Sequence, residues 1–364
     1  MSASGLSTLA GALAVRPGGA LPSIHSTRRE MAPLLGRGKP AALLPDLLGA
    51  VFTLCGGAHR VAARHAVNAA LHGGAEPDAA QRQALQVDTL REHLRRLWLD
   101  APRTVPGASA PDVSQLAACA LLQRADALDD SRAWIEHQVL GQGSQAWLQG
   151  WQADPRAHAS AWSDAGATWP ARWLAAARQL GLNLRQPVVA LQAHASALEL
   201  RRLAGQLRHE AEFALAPTWR GHTAETGCWT RLADRTLQGA DSPAAELWLR
   251  QAARVADIAR LLAPGGEQWL SQGALATGDR EGLGWCEMAR GLLIHWVRLD
   301  AEGRVADCRL IAPTEWNFHP FGPAARALAL LPASAAEARV RLLVAAYDPC
   351  VAVDIQREGE ASHA

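Results

Sequence analysis

The stretch Glu287-Met288-Ala289-Arg290-Gly291-Leu292-Leu293-Ile294-His295-Trp296-Val297-Arg298-Leu299 is where the chain changes period. Gly291 to Leu299 and Arg304 to Ile311 are β-type runs, and Asp300-Ala301-Glu302-Gly303 between them predicts a hairpin loop. Upstream the apolar spacing is helical. Pro40 to Leu71 reads as one helix, with Pro45 near its start and Gly73-Gly74 as its stop. Asp78 to Asp100 reads as a second, with Leu85, Val87, Leu90, Leu94 and Leu97 mostly on one side. Further helical segments are predicted over 112–140, 143–152, 158–180, 189–215 and 243–263. The first 40 residues read as short strands or loop. The segment after Pro313 reads as irregular, and a helix over 334–347 leads into Tyr347-Asp348-Pro349-Cys350. The predicted class is α+β, mainly helical, with small antiparallel β elements.

Composition narrows the functional classes. The 364 residues are 49% hydrophobic and 20% charged, an ordinary globular balance that excludes wholesale disorder. The net charge of +1 offers no global field toward nucleic acid or an acidic membrane, so neither is expected as a partner. Fourteen Trp stand against four Phe and one Tyr, and at helical spacing they read as core. The six cysteines, Cys55, Cys119, Cys228, Cys286, Cys308 and Cys350, form no CxxC and no small-secreted disulfide framework. The start lacks a signal peptide's charged region, and no export-type apolar segment follows Arg28-Arg29. A cytoplasmic protein with reduced thiols is expected.

Few residues announce chemistry one at a time. Cys55 and His59 are i and i+4, which on a helix shares a face, and thiolate and imidazole are both metal ligands. Cys350 follows Asp348-Pro349, where proline breaks the preceding helix. Glu287 and Arg290, i and i+3, read on their own as a surface ion pair. Walker, GxGxxG, HExxH and GxSxG patterns are all missing.

Taken in order, five blocks resemble the large subunit of [NiFe] hydrogenases. Val51-Phe52-Thr53-Leu54-Cys55-Gly56-Gly57-Ala58-His59 is similar to the family's first CxxC block, with Phe52 at the place of the first Cys. Pro217-Thr218-Trp219-Arg220-Gly221 through Glu225-Thr226-Gly227 is similar to a second, and Glu287-Met288-Ala289-Arg290-Gly291 through His295 to a third. Pro313-Thr314-Glu315-Trp316-Asn317 resembles the fourth. Asp348-Pro349-Cys350 through Gln356 resembles the family's Asp-Pro-Cys-x-x-Cys-x-x-His, with Val353 for its last Cys and Gln356 for its His.

The resemblance implies a large-subunit-like fold over 1–364: strands or loop over 1–40, a helical core over 41–265, a hairpin over 285–312 and a cofactor-pocket segment over 313–364. It also implies a chemistry, through what is missing. In the family four thiolates hold nickel, and two of them bridge to an iron carrying two cyanides and one carbon monoxide. Cys55 and Cys350 alone cannot supply four soft donors, so stable nickel is not expected. Two sulfurs and three diatomic ligands still suit a six-coordinate iron, so the implied metal ligands are Cys55 and Cys350 for an Fe(CN)2CO unit. Arg290, Pro313 and Thr314 match the positions around the cyanides, and Glu287 and His59 join them as expected cofactor contacts.

The family's proton-relaying Glu is matched by Ala10, and the chain ends eight residues after Gln356, so a cleaved C-terminal extension is expected to be absent. The pattern resembles the HupK/HoxV type of hydrogenase formation protein. That implies a non-catalytic maturation scaffold working with HypC/HypD-type assembly proteins, a HypC-like chaperone and the hydrogenase large-subunit precursor. A divergent active large subunit and a metal-free structural homologue are the alternatives. Cys55 matches a bridging position and Cys350 a terminal one, so either both hold a displaced iron or Cys55 binds it while Cys350 serves transfer. Cys119, Cys228, Cys286 and Cys308 read as structural.

Overall fold

The computed structural model describes residues 11–105, 111–180, 184–231 and 245–357. Its helices are α1 (Met31–Gly36), α2 (Leu44–Val51), α3 (Gly56–His72), α4 (Ala79–Arg95), α5 (Ala120–Gln123), α6 (Leu128–Ile135), α7 (Ser144–Ala153), α8 (Pro155–Ala165), α9 (Trp169–Gln179), α10 (Ala197–His209), α11 (Leu247–Leu262), α12 (Pro313–Asn317), α13 (Pro323–Ala329) and α14 (Glu337–Ala346). The strands are β1 (Ala12–Val15), β2 (Ile24–Ser26), β3 (Arg185–Gln186), β4 (Ala245–Glu246), β5 (Gln272–Gly278), β6 (Glu281–Met288), β7 (Gly291–Leu299), β8 (Val305–Ile311) and β9 (Ala352–Ile355).

The predicted hairpin is present as β7 and β8, but it is half of a four-stranded antiparallel sheet in the order β5-β6-β7-β8. The other half was hidden because Gly273, Gly278, Gly282 and Gly284 break the β-type composition of β5 and β6. Those on β6 have a packing reason. A Cβ on Gly284 would lie 2.2 Å from the Ala62 carbonyl oxygen, and one on Gly282 would lie 2.1 Å from that of Ala66. Helix α3, with Ala58, Ala62, Ala66 and Ala69 buried, therefore rests its backbone almost directly on the sheet. Gly284→Ala is expected to force the layers apart and lower stability by about 1–3 kcal/mol. A urea midpoint equal to wild type would show that the layers have slack.

Three further expectations change. The Pro40–Leu71 helix is broken at Phe52 to Cys55, where φ of Phe52 is −87° with ψ of 64°. Cys55 thus precedes α3 as its cap residue instead of lying within a helix. The 112–140 and 189–215 segments are interrupted, the second because Ala190 bridges to Glu225 in extended form. The segment after Pro313 is helical, since Pro suits a first helical turn. The β elements are also not all antiparallel: β9 pairs in parallel with β1, from Ala12 with Ala352 to Val15 with Ile355. That pairing joins segments from near the two ends of the sequence.

The tryptophans are core, as their spacing predicts. Trp147 stacks on Trp151 and meets Trp162 edge-on, and Trp98 packs against Trp134 and Trp169. Helix α11 runs through this core and is buried almost all round. Its charged residues must therefore be paired. Arg250 donates two 2.7 Å hydrogen bonds to Glu225, Arg254 reaches Asp348 at 2.7 Å, and Asp257 receives Arg231 at 2.6 Å. No helix among the described residues is long and apolar enough to cross a membrane.

Candidate metal centre

Cys55 and Cys350 are the two partly exposed cysteines, and the other four are buried. Four chain segments bring them together. The break before α3 presents Cys55, and the Asp348-Pro349-Cys350 turn presents Cys350. The β6–β7 turn supplies Arg290, and the segment after β2 supplies Arg28. Cys55 lies within electrostatic reach of Arg290, Cys350 and Arg28. Thr314 Oγ1 donates to Cys350 Sγ at 3.1 Å and accepts the Cys350 backbone N–H at 3.2 Å. Arg28 Nη1 lies 3.6 Å from the same sulfur, while its Nε donates to Glu315 at 2.6 Å.

The Cys350 turn is held from behind. Asp348 has a φ of 50°, a left-handed conformation that aspartate tolerates better than most residues. Its buried carboxylate receives Arg254 at 2.7 Å and Arg96 at 2.9 Å, with Arg290 Nε at 3.8 Å. Arg96 also donates to the Pro349 carbonyl at 2.7 Å. Burial opposes the Asp348 charge, but Arg254, Arg96 and Arg290 outweigh it and hold the carboxyl well below the usual range.

Arg290 is buried and ion-paired with Glu92. Its Nε has no hydrogen-bond partner among the described residues. Burial pushes the Cys55 thiol up to about 12, with Cys350 adding to the rise and Arg290 and Arg28 opposing it. Around the thiols four guanidinium groups (Arg28, Arg96, Arg254, Arg290) are matched by four carboxylates (Glu92, Asp100, Glu315, Asp348). The two guanidinium groups nearest the thiols, Arg28 and Arg290, are fixed donors of the kind that suits an acceptor atom on an occupant.

The remaining predicted site residues divide. His59 lies beside the thiols but is committed elsewhere: its Nδ1 shares a 3.0 Å hydrogen bond with His295 Nε2, and Phe52 stacks on its ring at 4.1 Å. Burial, then His295, lowers the His59 pKa well below the usual imidazole range, and burial lowers that of His295 to about 3, so the pair is neutral. Phe52, at the place of the family's first Cys, thus fills that space with an aromatic face. Pro313 is buried and opens the short helix that carries Thr314.

The expectation for Glu287 does not survive. Its carboxylate accepts the Ser271 backbone N–H at 3.0 Å and lies 3.8 Å from His194 and 4.0 Å from Arg231. It is buried, pairs with neither Arg290 nor a thiol, and supports the sheet instead. Along β6 the pleat turns it away from the turn that presents Arg290.

Sequence reading missed Arg28, Glu92, Arg96, Arg254 and Glu315. Arg28 offered one signal, as half of an Arg-Arg pair weighed only as an export motif. Asn317 ties three of the blocks together: its Oδ1 accepts the Thr226 N–H at 2.9 Å, and its Nδ2 donates to the carbonyls of Thr226 and Tyr347.

Behind Arg290 lies a second buried cluster. His93, Cys228 and Asp257 place ligand atoms within 4.8 Å of one another. Both Asp257 oxygens are already taken, by Arg231, His93 and Trp269. A cation there would face the Arg231 guanidinium, so the cluster is a structural support. Arg231 also donates to the Met288 carbonyl at 2.8 Å, and the Cys228 thiol to that of Ala289 at 3.3 Å. Both bonds fix the turn that carries Arg290.

Residues 266–355 match the family model for nickel-dependent hydrogenase. The chain is 40% identical to a hydrogenase expression/formation protein HoxV of Cupriavidus necator, covering 96% of both chains. It is 33% identical to a hydrogenase expression/formation protein HupK of Bradyrhizobium diazoefficiens, covering 92% of both. The fold is similar to a solved Ni-Fe-Se hydrogenase of D. vulgaris Hildenborough, with a TM-score of 0.53 and 13% identity over 90% of this chain and 92% of that one.

Proposed function

The chain belongs to the HoxV/HupK family of hydrogenase expression/formation proteins, and on that premise we propose that it is a non-catalytic scaffold carrying an Fe(CN)2CO unit as cargo. The cargo sits at Cys55 and Cys350 and passes to the [NiFe] hydrogenase large-subunit precursor. One observation carries this reading. The two partly exposed thiols lie within electrostatic reach of each other and of two guanidinium groups, while Phe52 and Val353 occupy the positions that match the family's two other thiols.

The residues divide the work. Both thiols lose their protons as they take up iron, because the thiolate is the ligand. Arg290 and Arg28 stabilise the added negative charge, and the Arg290 Nε, which has no hydrogen-bond partner among the described residues, suits a cyanide nitrogen. Thr314 orients the Cys350 sulfur. The expected partners are HypC/HypD-type assembly proteins, a HypC-like chaperone and the precursor itself.

Infrared spectroscopy on protein purified anaerobically from cells expressing the assembly genes tests this. The wild type should show cyanide and carbonyl stretches without stoichiometric nickel. Cys55→Ala and Cys350→Ala should each lose them while staying folded by circular dichroism. Wild-type protein that co-purifies with its partners yet shows no such bands would overturn the carrier reading.

A further inference from the structure

Strand β9 ends its sheet, in the order β2-β1-β9, so one of its two edges has no neighbouring strand. The register shows which backbone groups lie there. Val15 stands opposite Ile355, and the Gln356 N–H donates to the Val15 carbonyl at 2.9 Å. In a parallel pair this turns the backbone groups of Asp354 and Gln356 toward β1 and those of Val353 and Ile355 to the other side. Among the described residues the N–H and C=O groups of Val353 and Ile355 meet no backbone partner on that side. Both residues are half-buried, a setting in which backbone groups are normally paired.

The side chains of the same two residues line a groove of about 190 Å³. A cavity of roughly 150 Å³ takes benzene, so the groove has room for an aliphatic side chain. Val351, Leu97, Trp173 and Val344 complete its apolar wall. Its polar side chains are bonded among themselves, Asp348 to Arg254 and Arg96, Asp100 to Arg96, and Thr104 to the Trp173 N–H. Ala352 and Asp354, on the opposite face of β9, are exposed. Side chains of a strand alternate between faces, so the groove receives every second side chain of a strand laid along β9.

We propose that β9 is a docking edge for an extended segment of another protein, which adds as a further strand and sets apolar side chains at alternate positions into the groove. The open backbone groups select a strand, because only an extended backbone offers donors and acceptors at the matching spacing. A second copy of this chain fits the edge poorly. Two β9 strands paired antiparallel so that every open group of Val353 and Ile355 is bonded would set Asp354 directly opposite Asp354, and like charges so placed repel. Pro349 lines the same groove, so the docked segment lies beside the turn that carries Cys350. The site does not depend on iron carriage, since every group in it belongs to the metal-free chain.

Residue-resolved hydrogen exchange and fluorescence anisotropy on the full-length, metal-free chain test the assignment. In the free chain the Val353 and Ile355 amides should exchange about tenfold or more faster than those of Asp354 and Gln356. The probe is the capped, labelled peptide Thr-Val-Thr-Val-Thr-Val, and Thr-Thr-Thr-Val-Val-Val is its control of equal composition. The alternating peptide should bind about tenfold more tightly than the control and slow exchange at Val353 and Ile355. Ile355→Pro removes an open donor without touching the pairing to β1, and should weaken binding by about tenfold. Ile355→Ala keeps that donor and should bind more tightly than the proline variant. Circular dichroism confirms that both variants fold. No binding of the alternating peptide, equal affinity for the control, equal exchange at Val353 and Asp354, or equal affinity in the two Ile355 variants would each overturn the proposal. Protection of the Val353 and Ile355 amides that grows with protein concentration alone would give the edge to a second copy and overturn it as well.

Discussion

Asp257→Ala is expected to lower the free energy of unfolding by about 3–5 kcal/mol, the cost of leaving a buried charge without its partner. Arg231 is 1% exposed and donates to Asp257 at 2.6 and 2.7 Å. His93 and Trp269 use the same carboxylate. Removing it strands a guanidinium, an imidazole and an indole N–H in the core together. The double substitution Asp257→Leu with Arg231→Met should recover most of the loss, because an apolar pair of similar volume is often neutral. Urea unfolding followed in the near ultraviolet, where the packed tryptophans report, measures both. A loss below about 1 kcal/mol in the single variant would mean that Asp257 is not the counter-ion of this cluster.

The same carboxylate predicts the acid limb of stability. Burial opposes the Asp257 charge, but Arg231 and His93 outweigh it and hold the carboxyl well below the usual range. The folded pKa is thus below the unfolded one. The stabilisation is fully present above the ordinary aspartate pKa of about 4 and is lost as pH falls below it. Asp348 acts in the same direction. Stability should fall steeply below about pH 4, and Asp257→Asn should flatten that fall. A wild-type curve that is level from about pH 6 to pH 3 contradicts this account.

Arg290→Leu is expected to act twice. It removes the ion-pair partner of Glu92, a side chain only 12% exposed, and should cost about 2–4 kcal/mol. It also removes a guanidinium group beside Cys55, so cyanide stretches should be lost or displaced in whatever protein folds. Arg290→Lys separates the two effects. A point charge can keep Glu92 paired but cannot supply the planar fork. Lysine should therefore restore most of the stability and leave the cyanide bands shifted. Unshifted bands at full occupancy in the lysine variant would remove the guanidinium fork from cargo binding.

Much of the site was legible because its residues carry their chemistry in local patterns. Cys55, Cys350, Arg290 and Thr314 lie in short blocks whose order and spacing survive in one dimension, and the structure brings all four together. The tryptophan core and the β7–β8 hairpin were legible for a related reason, since helical and two-residue periods are written along the chain. The four-stranded extent of the sheet was not. The glycines that let α3 sit on β6 are chosen for closeness to another element, which a local pattern cannot express. Glu287 failed for the opposite reason. It belongs to a matching block, yet the pleat of β6 commits its carboxylate to Ser271, away from the thiols.

By itself the sequence determined the family, the helical class and the chemical identity of the two thiols, along with the replacement of their companions by Phe52 and Val353. These are properties of residue type and order. Only the tertiary structure decided the electrostatics of the site. Arg28 reaches Cys350 because β9 pairs with β1 across nearly the whole chain, and Arg96 and Arg254 reach Asp348 from helices remote in sequence. Charge–charge energies depend on separation in space and on burial, and neither is a function of position along the chain.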